Sequence, residues 1–143
     1  MVLLVLTVIL GTALGATVGK RTGSPAAVGA VHTGQLTYFT PAVGACGFTN
    51  SEADMVAAIS HELWDKVQVG ANPNTNPLCG KRLRLTGPLG TVDVTVADRC
   101  PDSTCTLWNV DASKGAYLKI AQEKDGRVPL TWQWLDIVPA AVA

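Results

Sequence analysis

Charge of either sign is scarce in this chain. Of its 143 residues only 15% are charged, with 11 basic side chains against 11 acidic ones. That balance leaves no basic footprint for nucleic acid and no polybasic patch for a membrane surface. Histidine is nearly absent, with His32 and His61 as the two examples. Neither stands at zinc-ligand spacing from a cysteine pair, so no metal site is expected. There is no glycine fingerprint for a flavin or dinucleotide, and no cofactor is expected. The chain has no internal repeat and no N-x-Ser/Thr sequon. Its one long apolar run, Val2 to Leu10, is broken only by Thr7 and falls short of the roughly 20 residues a membrane span needs.

That run has another reading. Small residues follow it at Ala13-Leu14-Gly15-Ala16, the pattern of a secretory signal cut after Gly15. Residues 1–15 are therefore expected to be a signal peptide, and the protein to be secreted. Lys20-Arg21 comes next, before Thr22-Gly23-Ser24-Pro25-Ala26. It reads either as a dibasic processing site or as two solvated charges on a linker. Cutting there leaves nine basic against 11 acidic residues. Residues 16–34 form the expected propeptide or linker, 35–138 the folded domain, and 139–143 a tail.

The four cysteines, Cys46, Cys79, Cys100 and Cys105, all follow the signal. An even count in an exported chain argues for two disulfides. Gln35 to Thr40 is rich in β-formers and is closed by Pro41. Ser51-Glu52-Ala53-Asp54 resembles a capping box, opening a helix with Met55, Val56, Ile59 and Leu63 on one face and Trp64 at its end. Lys81 to Leu85 and Thr91 to Ala97 alternate around Gly87-Pro88-Leu89-Gly90, which predicts a hairpin. Ser113 can cap a short helix that turns Tyr117, Leu118 and Ala121 inward. Val128 to Ile137 reads as the last strand, with Trp132 and Trp134 on its core face. Many short strands and two short helices predict a mainly β fold closed into a small barrel.

Two carboxylates frame a cysteine-bounded loop. Asp98 ends the apolar strand Val94-Thr95-Val96-Ala97, and Asp111 precedes Ala112-Ser113. Such a pair suits general acid/base work or the grip of a polar ligand. The alternatives are structural: Asp111 capping the helix, and Asp98 pairing with Arg99 or Lys81.

Gly44-Ala45-Cys46-Gly47, Asn76-Pro77-Leu78-Cys79-Gly80-Lys81, Val96-Ala97-Asp98-Arg99-Cys100-Pro101 and Asp111-Ala112-Ser113 occur in that order. They are followed by Val128-Pro129-Leu130-Thr131-Trp132-Gln133-Trp134. Together they resemble the secreted fungal double-psi β-barrel proteins of the rare lipoprotein A-like type, relatives of barwin, the expansins, the loosenins and the barrel endoglucanases. The resemblance spans residues 35–138. It implies a six-stranded double-psi β-barrel with two short helices, and pairing of Cys46 with Cys79 and of Cys100 with Cys105. Cys46–Cys100 with Cys79–Cys105 stays open as the alternative.

The resemblance also implies roles. Asp111 matches the acid that expansins need, and Asp98 matches the aspartate ending their strand before the loop. The related endoglucanases carry a catalytic base just after an aromatic pair in the first strand. Here that pair is Tyr38-Phe39 and the next residue is Thr40, which cannot act as a base at neutral pH. An inverting glycosidase needs both carboxylates, so hydrolysis is not expected and enzyme status stays open. Tyr38, Thr40 and Trp108 are the candidate ligand contacts, beside Asp98 and Asp111. The resemblance implies a monomeric binder of cell-wall polysaccharide (β-glucan, cellulose or chitin) that loosens it without hydrolysis. A secreted protein-binding module, such as a cysteine-protease inhibitor or a host-interacting effector, is the alternative. A weak lytic glycosidase is the third.

Overall fold

The computed structural model of the chain describes residues 29–101, 103 and 105–143. The expected signal peptide, residues 16–28 and the Lys20-Arg21 pair lie outside the described residues. Among the described residues eight strands and α-helices follow in order: β1 (His32–Phe39), β2 (Val56–Ile59), α1 (His61–Val67), β3 (Arg82–Gly87), β4 (Gly90–Arg99), β5 (Val110–Ser113), α2 (Lys114–Ile120) and β6 (Val128–Trp134). The six strands close into a barrel in the order β1-β5-β2-β4-β3-β6. β1–β5 and β2–β4 are parallel pairs, and the other four pairs are antiparallel.

Alternation sends one face of each long strand into the barrel. Leu83 and Leu85 of β3, Val94 and Val96 of β4, and Leu130, Trp132 and Trp134 of β6 are buried. Each fully buried large side chain contributes about 1.5–3 kcal/mol, which makes this interior the main source of stability. Trp134 donates from Nε1 to the Val142 carbonyl at 2.7 Å, so the C-terminal residues fold back onto the core. β3 and β4 form the expected hairpin, with Gly87 opposite Gly90. Among the described residues no helix is long and apolar enough to cross a membrane.

Four expectations need correction. First, no helix opens at Ser51. The Ser51–Asp54 pair does form, with Ser51 N donating to Asp54 Oδ2 at 2.7 Å, but it closes a turn. Val56-Ala57-Ala58-Ile59 is a strand buried on all four residues between β4 and β5. A short continuous apolar run fits a two-sided buried strand and a helix equally, and the neighbouring strands decide it. The helix begins after Ser60, whose Oγ accepts from Leu63 N at 3.3 Å. Trp64 is buried within it rather than at its end.

Second, β1 starts at His32, three residues before the expected boundary at 35, because His32 to Leu36 pair with β6. Gly34 is needed there, since a Cβ would stand 2.1 Å from the Trp108 carbonyl oxygen. Third, α2 is capped by Ser113 as expected, but Leu118 faces solvent and Ile120 takes the inward position beside Tyr117. Fourth, β6 ends at Trp134, where the chain turns so that Asp136 can accept from Arg82 N at 2.8 Å.

Candidate functional site

The strand registers place the two acids in one row. Asp98 on β4 lies opposite Ala58 on β2, Ala58 opposite Asp111 on β5, and Asp111 opposite Thr37 on β1. One strand separates the acids, so their backbones stand about 9–10 Å apart. Within that row the two carboxylates have different surroundings.

Asp98 Oδ1 accepts from Ala45 N and from Arg99 N, each at 2.8 Å. It therefore fastens the Gly44–Gly47 turn to the end of β4. Cys46 N adds a bond to the Ala97 carbonyl at 3.2 Å. Gly44 permits this closeness, because a Cβ there would lie 2.3 Å from that same oxygen. The Arg99 guanidinium turns away and pairs with Asp65 at 3.1 and 2.9 Å.

Asp111 does not cap α2. Its Oδ1 accepts from Thr37 Oγ1 at 2.9 Å. Burial raises its carboxyl above the usual range, with the charge of Asp98 adding a smaller push; the Thr37 hydrogen bond and nearby Arg127 oppose this. The Cys100–Cys105 disulfide lies beside Asp111, and its two residues are fully buried and pack with Ala58 and Phe39. Both sulfurs and an Asp111 carboxylate oxygen lie within 4.8 Å of one another. The sulfurs are bonded to each other and offer no thiolate, so this trio does not make a metal centre.

The candidate ligand contacts are not brought together. Tyr38 is half-buried against Tyr117, with ring centroids 4.7 Å apart. Thr40 is exposed and donates to Glu52 Oε1 at 2.7 Å. Trp108 stacks on His32 at 4.0 Å, near the other end of β1. Its carbonyl accepts from Trp132 Nε1 at 2.8 Å. The six residue steps along the strand from His32 to Tyr38 span about 20 Å.

A second region takes its shape from Cys46–Cys79, whose Cα atoms are 5.5 Å apart. It fastens the first of two loops. In residues 41–50, Gly44 N donates to the Phe48 carbonyl, Asn50 N donates to the Ala42 carbonyl, and Val43 bridges Thr49. In residues 68–76, Gln68 Nε2 donates to the Asn72 carbonyl at 2.9 Å and Thr75 Oγ1 to the same oxygen at 2.8 Å. Buried Asn76 ties that loop to the Trp64 carbonyl at 3.0 Å. The loops touch where Gly47 leaves room for the Asn74 side chain. Their outward residues are apolar: Val43 is 71% exposed, Phe48 43% and Val69 68%.

No protein-family model matches the chain. A curated relative, the "Allergen Asp f 7 homolog" of Arthroderma benhamiae, is 31% identical over 102 residues, which are 71% of this chain and 33% of that protein. The chain thus spans about a third of that relative's length. Among solved structures, the Streptomyces papain inhibitor superposes with a TM-score of 0.66 at 32% identity, over 77% of this chain and 98% of the inhibitor. The chain belongs to the barwin- and expansin-like double-psi β-barrel family. A mutant Clavibacter michiganensis expansin, solved in complex with cellohexaose, shares the fold with a TM-score of 0.62 at 22% identity, over 78% of this chain and 53% of the expansin.

Within this double-psi barrel, three residues at the site escape a motif search. Thr37 holds Asp111, and its signal is its place two residues before Phe39 on an alternating strand. Phe39 packs on the buried cluster of Ala58, Cys100 and Cys105 beside Asp111. Glu52 brings a carboxylate to the end of β1, supplied by the β1–β2 connection and not by the strand. Its position inside an apparent capping box hid it.

Proposed function

We propose that this chain is a secreted binding module that docks on a protein partner of the papain-like cysteine protease class. One observation carries the reading: two loops, the first fastened by Cys46–Cys79 and meeting the second where Gly47 faces Asn74, hold Val43, Phe48 and Val69 out to solvent. Loops already fixed by their own hydrogen bonds lose little freedom on docking, and apolar tips gain by entering a cleft. Similarity to the papain inhibitor along nearly that protein's whole length supports the same reading. Two disulfides suit an oxidising, extracellular setting. Asp98 then braces the 44–47 turn from behind, without touching the partner.

Titration of papain with the purified protein tests this. Inhibition that saturates at one inhibitor per enzyme is expected. Phe48→Asp should weaken it at least 10-fold, as loss of a central apolar anchor does, while Asp111→Asn should leave it unchanged. No inhibition at micromolar concentrations overturns the reading.

A second reading is favoured by Asp111, a carboxyl raised by burial and held by Thr37. In it, the acid row grips a cell-wall polysaccharide and loosens it without hydrolysis. The expansin solved with cellohexaose has the same fold. Weakening of filter paper or chitin without reducing-sugar release, lost in Asp111→Asn, is its expected outcome; an unchanged effect in that variant counts against the site.

A further inference from the structure

β1, β6, β3 and β4 run side by side around the barrel, and their registers set four threonines in one line. Thr33 lies opposite Thr131, Thr131 opposite Thr86, and Thr86 opposite Thr91. Three strand spacings make this line about 14 Å long. It lies on the outer face, since the alternate residues of β3 and β6, among them Leu85, Leu130 and Trp132, fill the barrel interior. Threonine is favoured on exposed strands, so any one of the four needs no special explanation. What sets the line apart is its relation to the surface relief.

Two hollows meet on it. One, of about 230 Å³, is walled by Val31, Arg84 and Gln133; the other, of about 280 Å³, by Gly87, Pro88 and Pro129. Thr86 and Thr131 line both. One hollow therefore offers an amide, the other offers apolar walls, and hydroxyls that donate and accept lie between them. Among the described residues, the only charged side chain lining either hollow, Arg84, is bound through two nitrogens to Asp93 at 2.8 and 2.9 Å. An anionic ligand finds no uncommitted cation there. Thr86 Oγ1 pairs with Thr91 Oγ1 at 3.2 Å, but a wholly apolar ligand would offer the Thr131 hydroxyl no partner.

We propose that this outer face binds a neutral oligosaccharide, with a sugar ring in each hollow and the threonine line between them. A pyranose has C–H faces for Pro88 and Pro129 and hydroxyl edges for Thr86, Thr131 and Gln133. None of these residues belongs to the acid row or to the loops of residues 41–50 and 68–76. The site is therefore separate from both readings of function above.

The test is an NMR titration of the full chain with cellohexaose, chitohexaose and laminarihexaose, with oligogalacturonate as the anionic control. At least one neutral hexasaccharide is expected to shift the amide signals of Thr33, Thr86 and Thr131, and the anion is not. Thr131→Val keeps the shape and strand preference and should weaken that binding at least 5-fold. Thr86→Val, at an exposed position, gives the same readout should Thr131→Val fold poorly. Lys66→Ala, at an exposed position on α1 away from both hollows, should bind sugar as the unchanged chain does. The proposal is overturned if no neutral sugar shifts these signals at millimolar concentration, if the shifts centre on Tyr38 and Asp111, if both valine variants bind normally, or if the anion binds better.

Discussion

The two disulfides do opposite things. Cys46–Cys79 joins loops across a sequence separation of 33 and leaves apolar tips exposed. Cys100–Cys105 closes a separation of five and lies fully buried against Asp111. One presents a surface; the other covers a functional group. The acids divide along the same line, since Asp98 braces the first region while Asp111 sits under the second. An acid in a family's functional position is thus not by itself an accessible site, because the chemistry depends on what packs over it.

The largest expected effect comes from cutting the long link. Replacing both Cys46 and Cys79 with alanine should cost about 3–4 kcal/mol, because it frees a long loop in the unfolded chain. Replacing Cys100 and Cys105 should cost about 2 kcal/mol, as the shorter loop requires. Urea unfolding of both double variants measures the difference. Papain titration sharpens it: the first variant should lose inhibition even where it stays folded, and the second should keep it. Equal inhibition by the two would break the contrast between a presenting and a covering disulfide.

Asp98→Ala comes next. It removes the acceptor for Ala45 N and Arg99 N and should cost about 1–3 kcal/mol. If Asp98 braces the loop, inhibition should fall along with stability. Full inhibition from a destabilised Asp98→Ala would show that the turn needs no brace.

The barrel was legible in the sequence because alternation wrote it plainly. Arg82 to Gly87 and Val128 to Trp134 place an apolar residue at every second position, and the β3–β4 turn carries its own Gly-Pro-Leu-Gly signature. β2 was illegible because four consecutive apolar residues have no period. Its identity depends on β4 and β5, which arrive about 40 and 55 residues later. The acids could be found from their motifs, but their divided roles could not. The register through Ala58 that aligns them depends on that same hidden strand. Trp108 looked like a partner of the acids because it lies between them in sequence. In the fold its ring goes to His32, at the far end of β1 from Tyr38.

The smallest expected effect concerns the sign of a pH dependence. Asp111 has its carboxyl raised by burial in the folded state. As pH climbs past the ordinary carboxylate range, about 3.9, the unfolded chain ionises first. Folding then disfavours the charge, so Asp111 subtracts stability at neutral pH and the loss is recovered as pH falls toward that range. Asp111→Asn keeps an acceptor for Thr37 Oγ1 and removes the charge. Its stability should match the unchanged chain within about 1 kcal/mol at pH 4 and exceed it at pH 7. Removing the Cys100–Cys105 cover should shrink that gap, because water then reaches the carboxylate. Unfolding curves at the two pH values, for Asp111→Asn with and without the disulfide, measure this. A gap of the same size in both backgrounds would mean that the strands themselves bury Asp111, and that the short disulfide covers nothing that matters.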